Sequence, residues 1–476
     1  MISAIKQLTR QTAIYGAGNI LTRLVTFLLL PLFTHVLSPG EYGVVTLVYV
    51  FLGFMNIIYH YGLDSAFMKY ASDTENAEER NRLFSTAFWL SLGSSTGISL
   101  LIVAGAGFLS ATLLGSPLYR HLFILAAGIL LLDALGHVPF ALLRLRDRAA
   151  LFVTIKFINV ITTLGLNIYL VAILNRGIAG IFTSALLASL VTAVFVLAAS
   201  LPLIRLTFSR RLVRDFITFG IPFIPAGLAA MTMEMIDRYL LAYLKDTATV
   251  GIYTAGYKLG IFMLLLTTAF NYAWQPFFLR LGKKEESRST FARIFTYYIF
   301  VALFVWILIS NFIHELIRIR IAGISLIGPP FYGAEAVVPV ILMAYVFQGV
   351  YLNFLPGIYF EKKTHMIALI SGTGALVNVV LNFLLIPPYG MMGAAAATLA
   401  AYIVMAVGAF VVSRRLFTVP YEWSRVIRTT VSFLAAVAFA SALGPGIPAK
   451  AASVILYVVL AWGLKGVTFR EIPYRP

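Results

Sequence analysis

The chain has 476 residues, of which 60% are hydrophobic and 12% are charged, and its formal net charge is +17. Soluble domains carry about a quarter of their residues as charges, so this composition excludes an ordinary soluble protein. The chain contains no cysteine, which excludes disulfides, thiolate metal sites and cysteine nucleophiles, and its six histidines show no metal-ligand spacing.

Fourteen apolar stretches fill nearly the whole chain. A helical crossing of a bilayer needs roughly 20 mostly apolar residues, and the short alternating segments typical of a membrane barrel do not occur. We therefore predict an all-α polytopic membrane protein with 14 transmembrane helices, called crossings 1 to 14 below. They lie near residues 14–36, 42–62, 83–110, 119–143, 149–174, 178–204, 217–243, 250–280, 291–318, 333–356, 365–387, 391–413, 425–443 and 449–468.

Lysine and arginine are distributed unequally between the two sides. With the N-terminus inside, 27 of the 36 basic residues fall on the inner side and 6 on the outer side. This bias follows the positive-inside rule and predicts that both termini lie in the cytoplasm. The excess of basic residues then reflects the orientation of the chain in the membrane. This favours anionic membrane lipids over nucleic acid as a neighbour. No cleavable signal peptide is expected, because the first apolar stretch is too long for one.

A weak internal repeat relates the two halves of the chain. Residues 37–44 join crossings 1 and 2, residues 244–253 join crossings 7 and 8, and each hairpin has a glycine where the returning helix starts. The spacing of six crossings predicts a parallel repeat of two six-helix bundles. The predicted domains are an N-terminal bundle (1–204, crossings 1–6), a cytoplasmic linker (205–216), a C-terminal bundle (217–413, crossings 7–12) and a segment with crossings 13 and 14 and a cytoplasmic tail (414–476).

Polar residues inside the crossings indicate a central cavity. Ionisable groups within a bilayer are costly and usually face a cavity or a partner. Asn19 and Arg23 belong to a polar stripe on crossing 1, and Asn56 and His60 to one on crossing 2. These residues either form a cavity wall, in which Arg23 meets an anionic group, or connect neighbouring helices by polar packing.

Charged residues also occur on crossings 4, 7 and 8. Glu234 and Arg238 are four residues apart and can pair on one helix face, and Lys258 lies at a similar depth. They form either an internal ion-pair cluster or part of a substrate or coupling-ion site. Asp133 and His137 on crossing 4 are likewise either a proton relay or an interior pair.

Four oxygen-bearing residues share one depth in the C-terminal bundle. At about 1.5 Å rise per residue, Asp237, Asn378, Asn382 and Thr398 lie roughly 6–12 Å below the outer surface. One carboxylate with neutral oxygens suits a hard monovalent cation such as Na⁺. The alternative is a set of interhelical hydrogen bonds between the Asn and Thr side chains.

Three segments carry a family resemblance: residues 29–43, residues 236–239 with 250–253, and residues 378–398. In these segments the chain resembles the Wzx-type flippases of polysaccharide or lipid-linked oligosaccharide. Those belong to the multidrug/oligosaccharidyl-lipid/polysaccharide exporter superfamily, with the MATE exporters and lipid II flippases. The resemblance implies a MATE-like inner-membrane transporter with a cationic cavity. It would carry an undecaprenyl-pyrophosphate-linked oligosaccharide from the cytoplasmic to the outer leaflet by alternating access.

The resemblance also implies roles for individual residues. Arg23 lies where lipid II flippases have a basic residue on the first helix. Some of those relatives have a Na⁺ site to which Asp237, Asn378 and Thr398 correspond. Asn382 stands where that site has a second carboxylate, which puts Na⁺ coupling in doubt and leaves H⁺ as the other coupling ion.

We therefore predict a flippase and not an enzyme, because the longest outer link, near 319–332, holds no Asp, Glu or His. A MATE-like exporter of small cationic molecules, which would need an acidic cavity, and a lipid II flippase are the alternatives. The expected partners are a polyprenyl-pyrophosphate-linked glycan, anionic lipids and other glycan-assembly proteins. No cofactor is expected beyond Na⁺ or H⁺ as coupling ion. The predicted cavity residues are Asn19, Arg23, Asn56, His60, Glu234, Arg238 and Lys258.

Overall fold

The computed structural model describes residues 27–321 and 323–467, and nearly all of these residues are helical. The predicted all-α membrane fold is therefore confirmed. The chain forms two compact units, Met1–Gly251 and Ile252–Pro476. The sequence prediction instead divides the chain at the linker 205–216, where the repeat changes. That repeat-based division stays a prediction, because compactness is a different criterion from repeat symmetry.

Apolar helices account for the predicted crossings. In the described part of the chain, 11 helices are long and apolar enough to span a membrane, and a bent pair of helices gives up to 12 spans. Two shorter apolar helices, Phe27–Val36 and Ile447–Gly463, lie at crossings 1 and 14. Over the described residues, each predicted crossing thus overlaps an apolar helix. Crossings 1 and 14 overlap the two shorter ones, and residues 14–26 of crossing 1 lie outside the described part of the chain.

The first unit centres on one helix, which packs against three spanning neighbours. This helix is α6, and its neighbours are α2, α4 and α8. A π-helical stretch, Ile168–Ile173, extends α7. The helices are α1 (Phe27–Val36), α2 (Pro39–His60), α3 (Leu63–Ser72), α4 (Ala77–Ala104), α5 (Ala106–Leu114), α6 (Arg120–Leu145), α7 (Ala149–Asn167), α8 (Gly177–Ser200), α9 (Arg210–Gly220) and α10 (Phe223–Leu244).

Local sequence explains where two of these helices begin and how the linker folds. Ser38 and Glu41 form a reciprocal capping box that starts α2, so the first hairpin has the short turn that the sequence predicts. Asn76 caps α4 by accepting from the Glu78 main-chain N–H at 2.9 Å. The linker forms the amphipathic helix α9, whose Phe216 is fully buried in a core cluster with residues of α3, α4 and α6.

The second unit contains the remaining helices and one small hairpin. Its strands β1 (Arg320–Ile321) and β2 (Ile324–Ser325) pair antiparallel in the predicted outer link. Helix α11 (Thr247–Leu259) starts in the first unit. The other helices are α12 (Ile261–Leu281), α13 (Glu285–Arg318), α14 (Val338–Asn353), α15 (Pro356–Phe360), α16 (His365–Tyr389), α17 (Met391–Leu416), α18 (Trp423–Leu443) and α19 (Ile447–Gly463).

Crossing 8 is bent rather than straight. Helices α11 and α12 meet at an angle of 48° across a short break. Gly260 lies at this break, and a Cβ there would come within 2.8 Å of the Ile341 side chain. The bend therefore occurs where only glycine lets the chain approach α14 so closely.

The last helix, α19, is bound to α13 by polar contacts within the second unit. Asn311 Nδ2 donates to Ser453 Oγ at 2.6 Å, and Lys450 Nζ donates to Glu315 Oε1 at 2.6 Å. One turn further along α19, the Tyr457 hydroxyl is also bonded to α13. Because such bonds are made in a largely apolar environment, they fix α19 in one register along α13.

Candidate functional site

The predicted cavity residues of crossing 2 line a cavity in the first unit. Asn19 and Arg23, predicted for the same cavity, lie outside the described residues. Asn56 and His60 are half-buried on α2. They line a cavity of about 200 Å³ together with Asp64 and the side chain of Phe223. Crossing 2 thus contributes two polar side chains to this cavity, and their role in a central transport cavity stays a prediction.

A helix break brings an acidic residue to this cavity. Helix α2 ends at His60, and the next two residues, Tyr61 and Gly62, have φ values of 31° and 69°. A Cβ at Gly62 would lie 2.9 Å from the Gly220 carbonyl oxygen, so glycine is required both by the left-handed backbone and by this contact. After the break, Asp64 on α3 lies 3.9 Å from His60 Nδ1.

Asp64 also connects α3 to α6. Arg144 Nη2 donates to Asp64 Oδ2 at 3.2 Å, and both side chains are partly exposed. Asp64 therefore lies between an imidazole and a guanidinium. A carboxylate in this position holds both groups in place and balances part of their charge.

A second histidine completes the cluster. The rings of His60 and His137 stack, with centroids 3.0 Å apart and planes inclined by 24°. Asp133, one turn before His137 on α6, lies beside Ser189 and interacts electrostatically with Lys156. Asp133 and His137 share His60 and Lys156 as electrostatic neighbours, and the choice between a relay and an interior pair stays a prediction. We call His60, Asp64, Asp133, His137, Arg144 and Lys156 the histidine cluster.

The histidine cluster carries mixed charge. It contains two carboxylates, one arginine, one lysine and two imidazoles. Lys156 Nζ lies 4.6 Å from the centre of the Phe140 ring, so the aromatic face offsets part of its charge. The cluster is therefore neither the acidic cavity that a cation exporter needs nor a purely basic one. It can bind an anionic group through Arg144 and Lys156.

Sequence analysis missed three members of this cluster as site residues: Asp64, Arg144 and Lys156. Asp64 could have been found from its spacing of four residues after His60. The break between the two helices hid this relationship. The signal for Lys156 was its position inside crossing 5. Arg144 is at the inner end of crossing 4, where the charge bias alone explains an arginine.

The charges of crossing 7 pair differently from the predicted arrangement. Arg238 Nη1 donates to Asp237 Oδ1 at 2.6 Å, and both residues are buried. Arg238 Nη1 also donates to the main-chain carbonyl of Glu234, and the Glu234 side chain is exposed. Asp237 thus offsets the charge of Arg238 in the first unit. Lys258 is half-buried on α11 and belongs to the second unit.

Three of the four predicted coupling-ion residues meet in the second unit. Asn382 Nδ2 donates to the Asn378 main-chain oxygen at 2.8 Å and to Asn378 Oδ1 at 3.0 Å. Asn378 Nδ2 donates to Thr398 Oγ1 at 3.4 Å. All three are at most 1% exposed, and Asn382 Oδ1 has no hydrogen-bond partner among the described residues. Asp237 belongs to the first unit, so the complete four-residue set stays a prediction.

Within the described ranges, no group of three or more His, Asp or Glu side chains could hold a metal ion. The arrangement of Asn378, Asn382 and Thr398 supplies neutral oxygens and amide donors. These residues can make interhelical hydrogen bonds, and their buried unpaired acceptor could also contact a cation or a water molecule.

Comparisons with known proteins agree with this architecture. A sequence model of the family described as "polysaccharide biosynthesis protein" matches residues 32–322. No curated protein matches the sequence significantly. The family match covers more than half of the chain and shows that it belongs to the polysaccharide biosynthesis proteins, which agrees with the resemblance found in the sequence.

Three solved structures share the fold. The lipid II flippase MurJ in an inward closed conformation is 12% identical, with a TM-score of 0.77, and the match covers 96% of this chain and 99% of that one. An inward-facing MATE multidrug resistance transporter is 14% identical, with a TM-score of 0.67 and coverages of 84% and 93%. The Vibrio cholerae MATE transporter VcmN is 15% identical, with a TM-score of 0.58 and coverages of 87% and 97%. At these identities the likeness shows the fold alone.

Proposed function

Because this chain belongs to the polysaccharide biosynthesis protein family, we propose that it is a flippase for a lipid-linked oligosaccharide. It would move a polyprenyl-pyrophosphate-linked glycan from the cytoplasmic to the outer leaflet by alternating access. We place it in the cytoplasmic membrane with both termini inside, from the bias of its basic residues. The solved structures it resembles are those of transporters, and we propose no catalytic activity.

The observation that carries this proposal is the histidine cluster at the cavity of the first unit. Arg144 presents a guanidinium that is paired on only one side, by Asp64 at 3.2 Å. A planar guanidinium binds phosphate oxygens bidentately, and lysine adds a point charge. The predicted Arg23 would contribute a further cation from crossing 1. These basic groups lie next to the cavity, which Asp64 and His60 line, and they suit the pyrophosphate of a sugar lipid better than they suit a cationic drug.

A MATE-like exporter of small molecules is the second candidate, since two of the similar structures are MATE transporters. The two functions require opposite charge in the cavity. A cationic drug is bound by carboxylates that lack a basic partner, whereas Asp64 is paired with Arg144 and Asp237 with Arg238. The pairing in the described part of the chain therefore favours an anionic substrate.

We further propose that an ion gradient supplies the energy. The sequence has no P-loop motif for nucleotide hydrolysis. A monovalent cation that crosses with the field gains about 2.3 kcal/mol per 100 mV. Asp237 is proposed as the ionisable group, with Asn378, Asn382 and Thr398 as neutral oxygen ligands, and Na⁺ and H⁺ as the alternatives.

A cell-based experiment tests the function. In a host cell depleted of this protein, surface glycan should fall and the sugar-lipid precursor should accumulate on the cytoplasmic leaflet. The precursor should then resist an impermeant glycosidase until the cells are permeabilised. Unchanged glycan export together with increased retention of a cationic dye would contradict the flippase proposal and support the exporter.

A further inference from the structure

A cavity of about 310 Å³ lies where α17 ends and α18 begins in the second unit. Its volume is at the lower end of the range for ligand pockets, roughly 300–1,000 Å³. The lining combines aromatic rings with hydroxyls and one arginine, and it includes Phe410, Ser413, Arg414, Thr418, Tyr421 and Trp423. Because both helices span the membrane, their connecting loop lies at the bilayer surface, where tyrosine and tryptophan are enriched.

The charge of Arg414 is not neutralised at this cavity. Among the residues that the structure describes, no carboxylate lies within ion-pair distance of its guanidinium. The nearby Glu422 is already occupied, since it accepts from Thr296 at 2.9 Å and lies 3.6 Å from Arg425. A second guanidinium, that of Arg288, lies over the Phe417 ring at 5.0 Å. Arg288 is paired with Glu285 at 3.4 Å, so Arg414 supplies the positive charge of the cavity that has no acidic counterpart among the described residues.

Exposed apolar faces continue from the cavity along both helices. On α18, Trp423 is followed on the same helix face by Ile427, Val431 and Leu434, all of which are exposed. On α17, exposed Val407 and Val411 precede Arg414 at helical spacing. Helix α17 packs on α14 and α16, whereas α18 packs on α13 and α19. The two exposed faces thus begin at one cavity and extend into the hydrocarbon region.

We propose that this cavity binds the headgroup of an anionic phospholipid. The phosphodiester would accept hydrogen bonds from Arg414, and the acyl chains would cover the apolar faces of α17 and α18. Basic pockets between transmembrane helices are suited to such headgroups, and a guanidinium matches phosphate geometry. The proposal does not depend on the transported substrate, and in the proposed orientation the cavity opens at the cytoplasmic leaflet.

Native mass spectrometry of the purified full-length protein tests the site. The protein is incubated in detergent with phosphatidylglycerol or with phosphatidylcholine that carries the same acyl chains. We expect at least one phosphatidylglycerol to be retained in preference to phosphatidylcholine. Arg414→Ala should lower this retention about tenfold, because a charge-assisted hydrogen bond is lost.

Two further variants make the result specific. Arg415→Ala removes the same charge from the neighbouring exposed residue, which does not line the cavity, and it should bind like wild type. Thr418→Trp fills the cavity and keeps every charge, and it should also lose the lipid. Three outcomes would each overturn the proposal. The wild type could retain the two lipids equally, Arg414→Ala and Arg415→Ala could lose the lipid to the same extent, or Thr418→Trp could retain it fully. Thermal unfolding shows whether each variant is folded. If Arg414→Ala is not folded, the result with Thr418→Trp decides the outcome.

Discussion

Gly43 and Gly251 lie where the backbones of two turns touch in the first unit. A Cβ on Gly251 would be 2.0 Å from the Pro39 carbonyl oxygen and 3.1 Å from Gly43 N. A Cβ on Gly43 would be 1.8 Å from the Thr247 carbonyl oxygen. Each glycine belongs to one hairpin of the predicted repeat and contacts the turn of the other. The two positions that relate the halves in sequence are therefore in contact.

Substitution of either glycine should separate these turns. In Gly43→Ala and Gly251→Ala the new methyl group overlaps backbone atoms, which cannot change rotamer, so we expect destabilisation by about 1–3 kcal/mol. Thermal unfolding of the purified protein measures the effect. Gly93→Ala is the matched control, since nothing lies within 4 Å of its Cβ. A Gly43→Ala protein as stable as Gly93→Ala would show that the contact does not constrain the fold.

The histidine cluster should be needed for transport rather than for folding. Asp64→Asn removes the charge between His60 and Arg144, so we expect transport to fall about tenfold because a charge-assisted hydrogen bond is weakened. Protein level and thermal stability should change little, since the pair is partly exposed. Asp73→Asn breaks a comparable pair, Lys69 Nζ to Asp73 Oδ2 at 2.7 Å, on an exposed surface. Equal transport by the Asp64→Asn and Asp73→Asn proteins would exclude a role for the cluster.

The orientation of the chain in the membrane can be determined by cysteine labelling, because the chain has no native cysteine. Leu118→Cys should react with an impermeant thiol reagent added outside intact cells. Glu286→Cys should react only after permeabilisation. Both side chains are exposed, whereas the neighbouring Ser287 is buried and would give a false negative. The reverse labelling pattern would show that the termini lie outside.

Ion coupling can be tested at Asn382, whose Oδ1 is buried without a hydrogen-bond partner in the described part of the chain. Asn382→Asp places a carboxylate beside Asn378 and Thr398, and a charged oxygen raises cation affinity. Transport by this variant should become Na⁺-dependent. Asp237→Asn should respond neither to a Na⁺ nor to an H⁺ gradient in proteoliposomes. If Asp237→Asn follows the gradients as wild type does, Asp237 is not the coupling group.

Helical spacing and hydropathy were sufficient to predict the crossings, because each span in a bilayer must satisfy its own backbone hydrogen bonds. Spacing also predicted that Asn378 and Asn382 share a face, and the structure adds Thr398 at hydrogen-bond distance. The partners of charged residues could not be predicted in the same way. Asp64 meets Arg144 only because Gly62 breaks the helix, and Asp237 rather than the Glu234 carboxylate pairs with Arg238. Such contacts depend on tertiary packing, which the periodicity of a single helix does not contain.

The same limit applies to the lipid cavity. The sequence shows Arg414 and Arg415 as equivalent inner-side charges. Only the path of the loop between α17 and α18 distinguishes them, because it places Arg414 alone at the cavity lining.

The most direct measurement is translocation of a polyprenyl-pyrophosphate-linked oligosaccharide in proteoliposomes that contain only this protein. The sugar lipid is placed in the inner leaflet, and an impermeant glycosidase outside reports its arrival in the outer leaflet. Our account predicts that release of sugar depends on the protein and falls about tenfold in Asp64→Asn but not in Asp73→Asn. The account would be contradicted if sugar release did not exceed that of protein-free liposomes while the same preparation transported a small organic cation.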